Sequence, residues 1–94
     1  MSKAYIRAQI ASKRRQIAAL QASAARTRDA KKSRAASISS AIKSATSTSA
    51  KASYRRQKIT MREQYDRQID GYKRQTEQVR KDIARLREQM ARTK

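Results

Sequence analysis

The sequence predicts an all-α protein, specifically an antiparallel helical hairpin (a two-helix coiled coil), and three observations carry that prediction. Pro is absent and the only Gly is Gly71, so the residues that sheets and tight turns draw on are missing. Ala, Arg, Lys, Gln and Glu dominate, and all are strong helix formers. Hydrophobic residues are 37% of 94, with no Phe or Trp. Large apolar side chains are therefore few, and they suit a long contact along one stripe better than a globular core.

Helix 1 is expected over 4–43, Ala- and base-rich with sparse aliphatics. Ile6, Ile10, Ile17 and Leu20 follow 4-7-3 steps along one face, and Ile38 and Ile42 resume it after a polar stretch. Lys31 and Arg34 fall on that stripe where Ile would be wanted, which marks the middle as a frayed, solvated segment, one whose cations snorkel along the pair, or one covered by an acidic or apolar partner.

Residues 44–53 (SATSTSAKAS) are small and hydroxylated. Ser and Thr compete with the helix for backbone hydrogen bonds, so the turn is placed here.

Helix 2 is expected over 54–93. Its seam is Tyr54, Tyr65, Ile69, Tyr72, Thr76, Val79, Ile83, Leu86 and Met90, in which the steps from Tyr65 alternate 4-3 as a heptad repeat. Glu63–Arg67, Asp70–Arg74, Glu77–Lys81 and Glu88–Arg92 are acid-before-base pairs at i,i+4, worth a few tenths of a kcal/mol each. A short repeat runs through the helix: Tyr54-Arg-Arg-Gln, Tyr65-Asp-Arg-Gln and Tyr72-Lys-Arg-Gln, spaced 11 and then 7, with Met61-Arg-Glu-Gln recurring as Leu86-Arg-Glu-Gln. Steps of 7 and 11 return to the same face, the latter as a stutter in the heptads.

In an antiparallel pair, facing residues have a constant index sum. A sum of 96 sets Ile6 against Met90, Ile10 against Leu86, Ile17 against Val79, Ala24 against Tyr72 and Ile42 against Tyr54. Its midpoint, residue 48, lies in the Ser/Thr zone. The whole chain, 1–94, is then one hairpin with arms of about 60 Å. The alternative is a single long helix that pairs with a second chain.

The function classes are narrowed by what is missing. With no His and no Cys, the commonest acid–base group, metal ligand and thiol nucleophile are absent. Asp66 and Asp70 are i,i+4 neighbours that read as solvated charges beside Arg67 and Arg74. One Gly cannot build a phosphate loop. The chain is expected to be no enzyme, with no catalytic, cofactor-binding or metal-binding residues and no cofactor. No apolar run approaches the roughly 20 residues of a membrane span. The N-terminus lacks the apolar core of a secretory signal. It is Arg- and Ser-rich and acid-free up to Asp29, as transit peptides are, yet the bias continues for some 60 residues. A cytoplasmic location is expected.

Charge is what remains. There are 25 Lys+Arg against 7 Asp+Glu, a net +18, and six of the seven acids follow residue 62. The basic clusters are Lys13-Arg14-Arg15, Arg26 with Arg28, Lys31-Lys32 with Arg34, and Arg55-Arg56 with Lys58, the last two brought near one another by a hairpin. They form the candidate nucleic-acid or polyanion site. Three of the four Tyr (Tyr54, Tyr65 and Tyr72) are better used in the seam, so contacts to backbone phosphates are expected rather than base readout. A membrane-surface role for residues 3–20 is disfavoured by a thin apolar face without Trp or Phe.

The charge leads to a nucleoid-, ribosome- or packaging-associated binder of DNA or RNA, and a short, basic, all-helical chain is similar in class to small ribosomal proteins. The layout also resembles the small helical-hairpin proteins of type VII secretion. That resemblance implies an adaptor that pairs through its seam with a larger, acidic or helical protein, such as the N-terminal helices of a secreted toxin, and leaves the cell with it, without a leader. Two departures stand against it: there is no Trp for a Trp-x-Gly turn, and Tyr65 and Tyr72 reach Asp70 and Glu77 at five residues, not four. A third option is a structural phage or virus component that neutralises packaged DNA, which shares the charge argument and would differ by self-assembly into a homo-oligomer.

Overall fold

The computed structural model describes residues 2–93. It is an all-α antiparallel hairpin of two helices, α1 (Lys3–Ser44) and α2 (Thr48–Arg92). The single-helix alternative is set aside by the break at 45–47. The expected span of 1–94 includes residues 1 and 94, which lie outside the described residues.

The turn is shorter than the Ser/Thr zone that marks it. Residues 48–53, expected in the turn, are the first turns of α2. The physical reason is capping: the Ser47 hydroxyl accepts the Ala50 backbone N–H at 3.0 Å, which satisfies one of the donors a helix N-terminus leaves open. A hydroxyl residue here starts a helix and does not merely weaken one. Ser2 does the same for α1, accepting from the Tyr5 N–H at 3.1 Å. At the end of α2, the Thr93 hydroxyl donates to the Gln89 carbonyl at 2.8 Å.

The chain forms two compact units, Met1–Ser23 with Gly71–Lys94, and Ala24–Asp70. In the first, Ile6, Ile10 and Ile83 make the buried cluster, with Ile17, Val79, Leu86 and Met90 packed against it half-buried. Ile6 is 1% exposed. Thr76 is the buried polar residue of this seam, and its hydroxyl donates to the Tyr72 carbonyl one turn back, at 2.9 Å. This back-bond satisfies the hydroxyl inside its own helix.

In the second unit Ile38, Met61, Ile69 and Ala24 are buried, while Ile42, Tyr54 and Tyr65 are half-buried. Met61, which the sequence reading leaves out between Tyr54 and Tyr65, therefore belongs to the seam. Lys31 and Arg34 part company here. Lys31 is half-buried and reaches Asp66 at 2.6 Å, whereas Arg34 is exposed and Ala35 takes the inward position. The inward residues of α1 run 27, 31, 35, 38, and those of α2 run 61, 65, 69, 72. Both follow 4-4-3, an 11-residue step, so the middle of the hairpin is a regular helix pair and not a frayed segment. At an index sum of 96 the two stutters oppose each other, with Ala35 falling opposite Met61.

Within each unit the cross-helix contacts keep that register to within one residue: Lys13 with Asp82, then Lys31 with Asp66 and Lys58 with Ser39. The surface ion pairs are drawn differently from the i,i+4 expectation. Glu77 meets Arg80 at i,i+3 rather than Lys81, and Asp82 meets Arg85. Exposed pairs of this kind carry little energy, so either spacing serves.

Candidate polyanion-binding surface

The electrostatics of the Ala24–Asp70 unit follow from one stretch of sequence. From Ala30 to Arg62 there are nine Lys and Arg and no acid. The two arms that carry them meet at the turn, so helix pairing concentrates a field that the linear sequence spreads over two segments.

The structure divides the eleven candidate cations by what they touch. Lys13, Lys31 and Lys58 each reach a group on the opposite helix. Lys13 bonds Asp82 at 3.5 Å, Lys31 bonds Asp66, and Lys58 donates to the Ser39 hydroxyl at 2.9 Å. All three are half-buried and flank the seam, their stems lying along it while the ammonium groups reach the opposite helix. Arg26 is exposed at the surface of α1. Arg14, Arg15, Arg28, Lys32, Arg34, Arg55 and Arg56 are exposed, and among the described residues none of them closes an ion pair with a carboxylate.

Arg34 of α1 and Arg56 of α2 line one open groove of about 480 Å³. Its apolar floor is Ile38, Met61 and Tyr65, and its polar edge is Gln57, Gln64 and Gln68 with Ser53 and Thr60. The Gln row is a product of the internal repeat. Each Tyr-x-Arg-Gln or Met-Arg-Glu-Gln unit starts on the seam and places its Gln three residues on, at the edge of the seam one turn later. Gln57, Gln64 and Gln68 are all exposed. A smaller groove of about 150 Å³, with Ser37, Ala41 and Tyr54 in its lining, shares Arg34, Ile38 and Gln57. Arg34 thus serves both.

Two guanidinium groups from opposite helices, beside amide and hydroxyl groups, offer forked donors to a phosphate and neutral hydrogen-bonding groups around it. The sequence brings out the charges but not the Gln row. The repeat is visible in the sequence, yet its use depends on which edge of the seam stays open. Among the described residues no group of three His, Cys, Asp or Glu is placed to hold a metal ion. No helix of the described residues is long and apolar enough to cross a membrane.

No protein-family model matches the chain, and neither curated proteins nor solved structures give a match. The class that fold and surface define is a basic antiparallel helical hairpin.

Proposed function

We propose that this hairpin is a non-enzymatic binder of nucleic-acid phosphates, without base specificity, acting through the Ala24–Asp70 unit. The observation that supports this reading is the acid-free run from Ala30 to Arg62, with Arg34 and Arg56 open to solvent on one groove. Lys31 is held by Asp66, and the other eight of the nine cations in this run gain by releasing the counterions condensed on a polyanion. Tyr54 and Tyr65 are half-buried in the seam, so the aromatic faces that would stack on bases are largely committed. A nucleoid-, ribosome- or packaging-associated role fits this chemistry.

The test is a binding isotherm of the full chain, by fluorescence anisotropy, on two unrelated sequences as duplex and as single strand. Affinity should be alike for both sequences and should fall steeply between about 50 and 200 mM salt. The double variant Arg34→Gln, Arg56→Gln should flatten the slope of log affinity on log salt by about 2, close to one for each phosphate no longer neutralised. Equal affinity at both salts defeats the proposal. Affinity purification with one arm treated with nuclease separates it from the adaptor reading, in which an acidic protein partner survives the treatment.

A further inference from the structure

The other unit, Met1–Ser23 with Gly71–Lys94, holds 13 bases and 3 acids, a net +10. One of its faces is nearly free of that charge. An apolar groove of about 460 Å³ is lined there by Ala19, Leu20 and Val79 and edged by Gln16, Gln75 and Gln78. Gln78 donates to Asp82 at 3.3 Å, which ties this groove to a second one lined by Lys13, Asp82, Arg85 and Leu86. Asp82 also accepts from Lys13 at 3.5 Å and from Arg85 at 2.9 Å. Two cations share one carboxylate, so the lining of the two grooves carries a net charge of only +1. Leu20, Val79 and Leu86 stay half-buried on it.

We infer that this face is a self-association surface, whose occupant is a second copy of the chain. Three features choose that occupant. A chain of +18 repels its own copy wherever cations would meet, and this face spares them that meeting. An acidic helix, by contrast, finds here only cations already held by Asp82. Glutamine amides carry both donor and acceptor, so rows of Gln present to their own copies across a two-fold axis the groups that complement them. Two hairpins laid face to face also cover the half-open Leu and Val side chains as a four-helix arrangement does.

Sedimentation velocity on the nuclease-treated full chain tests this, at concentrations from about 1 to about 100 µM. A dimer is expected, and it should tighten as salt rises from about 50 to 500 mM because screening removes the residual repulsion. Phosphate binding moves the opposite way with salt. The variant Gln75→Arg, Gln78→Arg places charge on exposed helical positions without touching the seam. Circular dichroism should show it folded, while dimerisation weakens by about tenfold or more. Gln21→Arg, exposed and lining neither groove, should leave the dimer intact. A monomer at every concentration and salt overturns the inference, and so does a dimer indifferent to the double Arg variant. A monomer that takes up an added acidic amphipathic peptide overturns it in favour of a protein partner.

Discussion

Gly71→Ala should stabilise the hairpin, by an amount the local geometry confines narrowly. Gly71 lies in the interior of α2, over five turns from either end, with no positive φ to hold it in a conformation only glycine favours. A Cβ built there meets nothing within 4 Å. There is therefore no clash to subtract and no new packing to add, which leaves the backbone effect alone. Alanine restricts the unfolded chain and has the better helix propensity, together worth about 0.5–1 kcal/mol. For a domain of this size that is a rise in Tm of roughly 2–8 °C. Urea unfolding followed by circular dichroism at 222 nm measures it, and the m-value should not change because the surface exposed is the same. The substitution lies outside the Ala30–Arg62 stretch, so affinity for nucleic acid should be unaltered. A loss of stability, or a changed m-value at unchanged helicity, would refute the reasoning, because it would mean that the backbone or a neighbour needs the space the side chain would take.

Two further substitutions probe the capping and the buried hydroxyl. Ser47→Ala removes the acceptor for the Ala50 N–H and should lower stability by about 1 kcal/mol, with Ser47→Gly costing only a few tenths; thermal melts compare the two. Thr76→Val keeps the shape and deletes a hydroxyl that bonds back to its own helix, so the change should be within about 1 kcal/mol and stabilising in sign by urea titration.

The fold is largely legible in the sequence because one signal dominates. Alternating 4-3 steps from Tyr65 to Met90 define a face, and a single index sum then aligns Ile6 and Ile10 against it. What the sequence hides, it hides for identifiable reasons. Serine and threonine weaken a helix interior but start a helix well, and only the Ser47–Ala50 bond decides which role applies. Counting heptads through the 11-residue step puts Arg34 on the stripe that Ala35 occupies. Counting the regular heptads only from Tyr65 leaves out Met61, although Met61 stands 11 residues before Tyr72 just as Tyr54 does before Tyr65. The basic clusters are plain, but not their division. Lys13 and Lys31 are spent on Asp82 and Asp66 because each lies within one residue of the pairing register, a relation that emerges only when both helices are read together.

The facing stutters have a consequence for how such a chain can change over time. A residue gained or lost in one arm slides every position beyond it past its opposite number, carrying lysines and arginines onto the seam and isoleucines out to water. Damage of that kind is undone by an opposite change close by in the same arm or by an equal change at the mirrored place in the other. Descendants of this hairpin should therefore differ in length by paired steps, seven or eleven residues from each arm at once, while point replacements on the outer faces accumulate freely. The turn at 45–47 is the place where an unpaired insertion disturbs no register, and length variation that is not doubled should be found there.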